Sequence, residues 1–197
     1  VKYDIVLAGV GGQGVLSLAA AIATAAMREG LALRQSEVHG MAQRGGGVSA
    51  HLRMSSSRVA SDLIPRGGAD MILSMEPLEA LRCLPWLREG GVLVSAAEPL
   101  VNIPDYPDLE GLHAAIRSLG RSVLVQVQEL AKAAGNARAA NTVLVGAASP
   151  HLPIKPESLE EAIREAFAQK GRATVEANLA AFRAGRSAGA GVGGTGA

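Results

Sequence analysis

Two glycine-rich stretches carry the residue types that could bind an anion. The first, Gly9-Val10-Gly11-Gly12-Gln13-Gly14, follows the apolar run Tyr3-Asp4-Ile5-Val6-Leu7-Ala8 and precedes an alanine-rich segment. Glycines at this spacing let a chain turn tightly after a strand and bring backbone N–H groups against a ligand. The N–H groups that open the next helix then suit a phosphate or carboxylate. The second stretch, Gln43-Arg44-Gly45-Gly46-Gly47, adds a guanidinium whose planar fork matches the same anions. Its alternative is a surface turn with a solvated arginine.

Other chemistry stays incomplete within the chain. Ser36, Glu37 and His39 are close in sequence, but a nucleophile needs a base held against it in space. His39 and His51 lack a third ligand, so no metal site is assigned. His113 and His151 read as surface residues, and Cys83, before Leu84-Pro85-Trp86, as a small core residue. A dinucleotide-binding unit also carries an acid at the end of its second strand, about 20 residues past the loop. Here the second strand, Leu31 to Ser36, ends in Leu33-Arg34-Gln35-Ser36, and Glu37 comes late. The pattern is that fold without its usual second anchor.

The elements that must position these residues read in order. Tyr3 to Ala8 is a buried parallel strand, and Val15 to Met27 a helix burying Val15, Leu18, Ala19, Ile22 and Ala26. Val48 to Met54 alternates, which predicts a strand with Ser49, His51 and Arg53 on a wet face, at an edge or added antiparallel. Ala69 to Met75 and Val92 to Ala96 are strands; between them Glu76-Pro77 opens a helix with Leu78, Leu81 and Cys83 inward. An irregular excursion over Glu98 to Asp108 leads to a helix over Leu109 to Leu119 and a strand over Ser122 to Val127. A short helix covers Gln128 to Ala134; Thr142 to Ala147 fits a strand or a buried helix, and with Asn141 as a plausible N-cap it is read as a helix. Ser158-Leu159-Glu160-Glu161 matches a capping box, and Ala173 to Ala184 forms a last helix. The expected fold is α/β: one Rossmann-like domain over 1–184, a mostly parallel sheet with helices on both faces, and a flexible Gly/Ala-rich tail over 185–197.

Bulk properties narrow the function classes. A chain of 197 residues, 48% hydrophobic and 19% charged, packs as a globular domain that buries roughly 70% of its unfolded surface. A net charge of +1 argues against general nucleic-acid or acidic-membrane binding. The charge is uneven: five Arg stand against two acids from Arg34 to Arg66, and eight acids against two Arg from Gly67 to His113. The single cysteine excludes an internal disulfide and a four-thiolate cluster. Asp4 and the glycine loop do not fit a secretory signal, and Gly9 to Met27 is too polar to span a bilayer, so a cytoplasmic location is expected.

Asp4 to Val15, taken with Ser36-Glu37-Val38-His39-Gly40-Met41-Ala42-Gln43-Arg44-Gly45-Gly46, resembles the gamma-type subunits of thiamine-dependent 2-oxoacid:ferredoxin oxidoreductases. Within that family it is similar to the small (beta) subunits of indolepyruvate ferredoxin oxidoreductases, over nearly the whole chain, including Asn141, Asn178 and Phe182. The resemblance implies oxidative decarboxylation of an aryl pyruvate, with coenzyme A taking the acyl group and ferredoxin the electrons. It assigns thiamine diphosphate, Mg and the iron–sulfur clusters to a large partner subunit, so this chain would bind no cofactor and have no activity alone. Gly11, Gly12, Gln13, Ser36, Glu37, His39, Gln43 and Arg44 would line the substrate or coenzyme A approach. A free-standing nucleotide-binding oxidoreductase and a noncatalytic assembly subunit are the alternatives.

Overall fold

The computed structural model describes residues 1–39 and 46–192; residues 40–45 and 193–197, and the side chains of 38, 39 and 192, lie outside it. Six strands form one sheet: β1 (Lys2–Val10), β2 (Ala32–His39), β3 (Gly47–Ser55), β4 (Ala69–Ser74), β5 (Leu87–Ala96) and β6 (Ser122–Val125), in the order β2-β3-β1-β4-β5-β6. Only β3 runs against the others, paired antiparallel to both β1 and β2. The mostly parallel α/β sheet read from the sequence is therefore present. Because β1 is buried on both faces, it reads as a continuous apolar run rather than an alternating one.

Among the described residues seven α-helices cover the sheet: α1 (Val15–Arg28), α2 (Pro77–Arg82), α3 (Leu109–Arg117), α4 (Val127–Ala133), α5 (Ala140–Ala148), α6 (Pro156–Phe167) and α7 (Arg172–Gly189). Helices α1 and α4–α7 pack over Ile5, Leu7, Met71 and Leu73. On the other face, α2 and α3 bring Ala80, Cys83 and Ile116 against Val6, Ile72 and Leu93. The helix face predicted for α1 is the buried one, with Ala25 added.

Several local expectations are corrected. Strand β2 continues to His39, so Glu37 lies inside it rather than after it. Strand β3 is antiparallel as expected but interior, and its supposed wet face is largely covered. His51 is buried, with Nδ1 accepting from the Ile64 N–H at 3.0 Å. Arg53 donates to both oxygens of buried Asp4, at 2.9 and 3.0 Å. A chain segment at residues 61–64 folds over this face, which the alternation could not reveal.

Helix α5 forms where expected, but Asn141 is not its cap. Asn136 instead caps the short 3-10 turn Ala137–Ala139 that leads into it. Helix α6 opens at Pro156 after Lys155, whose N–H donates to Glu29, so Ser158 falls within the first turn and no capping box forms. In α2 the buried residues are Pro77, Glu79 and Ala80, while Leu78 and Leu81 are half-buried.

The last helix passes Ala184 and continues to Gly189, because its glycines cross α5 at backbone contact. A Cβ on Gly146 would overlap the Phe182 carbonyl, and one on Gly185 the Val143 carbonyl. Buried Asn178 accepts from Thr142 at 2.8 Å across the same crossing.

Candidate functional site

The chain leaves β1 through the glycine loop and enters α1 directly. Gly12 (φ +101°) and Gly14 (φ +78°) occupy the left-handed region, where a side chain would be strained. Gly14 also has no room for a Cβ beneath Asn141, whose Nδ2 donates to its carbonyl at 3.1 Å. Helix α1 has no side-chain N-cap and no acid in its first turn. The Ser17 N–H donates to the Gly14 carbonyl at 2.9 Å, and the Val15 and Leu16 N–H groups remain available to an anion. They open on a cleft of about 300 Å³ between the loop, Leu16 and Val48.

Gln13 is committed to holding this loop. Its Oε1 accepts from the Val10 N–H at 2.7 Å and its Nε2 donates to the Met75 carbonyl at 3.1 Å. The side chain therefore ties the end of β1 to the end of β4, rather than projecting toward a ligand.

The second glycine stretch reaches the same sheet edge. Val10 pairs with Gly47, His39 with Val48, and the Gly11 N–H donates to the Gly46 carbonyl at 2.9 Å. Ser36 lies further back along β2, opposite His51, and its enclosed Oγ has no hydrogen-bond partner among the described residues. Glu37 is exposed and accepts from Gln35 at 3.3 Å. His39 has its backbone at the edge; its side chain, with all of Gln43 and Arg44, lies outside the described residues. The structure thus brings together Gly11, Gly12, Gln13 and the backbone of His39, with Ser36 and Glu37 set back from them.

The end of β4 adds groups that sequence reasoning missed. Glu76 is buried and caps α2 by accepting from the Glu79 N–H at 2.8 Å, while Tyr106 donates to its other oxygen. Glu79 is also buried, pairs with Arg82 at 2.7 Å, and comes within 2.6 Å of where a Gly47 Cβ would sit. Burial holds the Glu79 carboxyl above its usual range, and nearby Glu76 adds to this, against the lowering effect of Arg82. The tyrosine hydroxyl is pushed well up by burial and by its bond to Glu76. The only signal was Glu76-Pro77, legible as a helix start and not as a buried acid.

These strand ends flank the position where the strand order reverses: the chain leaves β1 toward β2 on one side, and the connection from β3 passes β1 to reach β4 on the other. Open α/β sheets bind ligands at such a point. Yet β3 separates β2 from β1, so an acid on β2 stands two strand spacings away, roughly 10 Å. That geometry disfavours the ribose anchor of a dinucleotide.

Residues 4–188 match the family described as pyruvate ferredoxin/flavodoxin oxidoreductase. The chain belongs to this family. It is 38% identical to the indolepyruvate oxidoreductase subunit IorB of Thermococcus kodakarensis, over 93% of this chain and 94% of that one. The gamma subunit of the keto/oxoacid ferredoxin oxidoreductase of Geobacter sulfurreducens superposes with a TM-score of 0.71 at 25% identity, over 98% of both chains. The 2-oxoglutarate:ferredoxin oxidoreductase of Magnetococcus marinus, solved with 2-oxoglutarate, coenzyme A and succinyl-CoA bound, shares the fold at a TM-score of 0.76 and 23% identity. The match covers 96% of this chain but only 31% of that longer one. The resemblance carried by the paired glycine motifs is confirmed: this is a gamma-type subunit of an oxidoreductase.

In this oxidoreductase subunit the donor set does not fit an iron–sulfur cluster. Cys83 is the single thiol, and burial pushes it up to about 11, so it stays protonated and inert near neutral pH. Among the described residues no group of three or more His, Cys, Asp or Glu could hold a metal ion. Nor, among those residues, is any helix long and apolar enough to cross a membrane.

Proposed function

We propose that this chain is the small subunit of a thiamine- and coenzyme A-dependent 2-oxoacid:ferredoxin oxidoreductase acting on indolepyruvate and related aryl pyruvates in the cytoplasm. Its relatives named as indolepyruvate oxidoreductase subunits support the substrate class. The large partner would hold thiamine diphosphate, Mg and the iron–sulfur clusters, and ferredoxin would dock on the complex. In the overall reaction the bond to the substrate carboxylate breaks and carbon dioxide leaves. The acyl group passes to the coenzyme A thiol, and two electrons pass to ferredoxin. Thiamine diphosphate supplies the carbanion-stabilising chemistry.

One observation carries the role of this chain: the Gly11–Gly46 hydrogen bond joins both glycine motifs beside the uncapped start of α1. Backbone N–H groups of Gly12, Gly14 and the first turn of α1 would hold a carboxylate or phosphate in the adjoining cleft. Gln13 holds the loop in shape; by the family resemblance His39, Gln43 and Arg44 would complete the approach, with Ser36 and Glu37 further back along β2.

Anaerobic purification of the complex from its native cells tests this reading. A larger, brown, thiamine-containing partner that reduces ferredoxin with an aryl pyruvate and coenzyme A is the expected result. Arg44→Ala in the intact complex should raise the KM for coenzyme A about tenfold, the loss of one charge-assisted hydrogen bond. An unchanged KM removes Arg44 from the site. A chain purified alone with a bound dinucleotide overturns the assignment.

A further inference from the structure

A second concavity lies on the other side of the first turns of α1. It is a groove of about 410 Å³ floored by Ala20 and Ala21 of α1, Val145 of α5 and Ala162 of α6. Ser17, Thr24 and Asn141 add polar atoms along its walls. At its mouth a second hollow of about 460 Å³ shares three residues with it: Arg138, Phe167 and Lys170. Among the described residues no acid lines either space.

Several arginines of this molecule are held in ion pairs. Arg28, Arg53, Arg82, Arg88, Arg164 and Arg183 each pair with a carboxylate. Neither Arg138 nor Lys170 has a carboxylate partner among the described residues; Lys170 instead rests over the Phe167 ring, 5.3 Å from its centroid. Two unpaired cations facing a groove with an apolar floor and hydroxyl-bearing walls form a recognisable pattern. It matches an organic molecule with a dianionic group, held by a guanidinium fork and an ammonium. The volume suits a body of nucleoside size.

We propose that this groove binds a phosphate ester, with the phosphate between Arg138 and Lys170 and the organic part over the alanine floor. The site is distinct from the glycine-loop cleft, although Asn141 touches both through its bond to the Gly14 carbonyl. It rests on the groove's own charges and not on the proposed reaction.

The test is calorimetric titration of the purified, intact complex with adenosine 5′-monophosphate, a compact phosphomonoester. Saturable binding is expected, weakened about tenfold or more by Arg138→Ala and by Lys170→Ala. Leu16→Ala, which alters only the glycine-loop cleft, should leave it unchanged. A repeat in saturating coenzyme A distinguishes two sources of the phosphate. Abolished binding makes the groove the seat of the coenzyme's phosphorylated end, and persistent binding makes it the seat of a separate phosphate ester; both uphold the proposal. No saturable binding, or binding indifferent to both cation variants, overturns it and leaves the assignment to the oxidoreductase family untouched.

Discussion

The Gly11 N–H donates to the Gly46 carbonyl at 2.9 Å, although 35 positions separate the two residues in the chain. This bond unites the two motifs on which the family resemblance rests. It exists because β3 returns antiparallel beside β1, so that Gly47 pairs with Val10 at the edge where the glycine loop begins. An ordinary parallel neighbour would have placed the second motif elsewhere.

The Gln13 amide spans Val10 and Met75, so its loss should be felt in folding and catalysis together. Gln13→Ala leaves a backbone donor and a backbone acceptor unpaired in a half-buried site, at a cost of about 1–3 kcal/mol. Chemical denaturation should show a lower midpoint at unchanged slope. Gln13→Glu keeps the acceptor for Val10 but sets a carboxylate against the Met75 carbonyl, and should be no better than the alanine variant.

The crossing of α5 and α7 predicts intolerance of a single methyl group. Gly146→Ala and Gly185→Ala would each gain at most about 1 kcal/mol of helix propensity. Each would also drive a Cβ into a carbonyl of the opposite helix, where the neighbour is backbone and cannot rotate away. Overpacking of this kind costs about 1–3 kcal/mol or more, so a clear fall in Tm is expected for both.

Stability should fall as the pH drops below neutrality. Burial, aided by Arg53, holds the His51 imidazole below its ordinary value of 6.5. The unfolded chain therefore takes up a proton at a pH where the folded chain does not, and stability rises with pH across that window. Protonation would also cost Nδ1 its bond from the Ile64 N–H. Urea midpoints at pH 7.5 and about 5 should differ less in His51→Gln than in the native chain. Burial lowers His151 in the same direction, so the difference should shrink rather than vanish.

The pair Asp4 and Arg53 offers a check on the covered face of β3. Both side chains are largely buried and doubly bonded. Arg53→Ala would leave the buried Asp4 carboxylate with only the Lys2 ammonium, 3.8 Å away, and should cost about 3 kcal/mol in denaturation experiments. A change near zero would mean that this face is solvated after all.

By itself the sequence determined the local frame: strand, glycine loop and helix at the N-terminus, the mostly parallel sheet, and the alternation of later helices and strands. Those features follow from short-range causes, namely apolar periodicity and glycine's access to left-handed backbone at Gly12 and Gly14. The apolar run Thr142 to Ala147 fitted a strand as well as a buried helix, and only the packing of α5 against α7 made it a helix. Only the tertiary structure decided what each polar group faces. Gln13 became a clamp, Asn141 a tie to Gly14 rather than a cap, and His51 a buried acceptor, because their partners arrive from distant segments. The same holds for the buried acids Glu76 and Glu79 at the end of β4, and for Arg138 and Lys170 at the groove. Periodicity specifies which face of an element is apolar; it carries no information on which other element will cover that face, and binding sites are made from that choice.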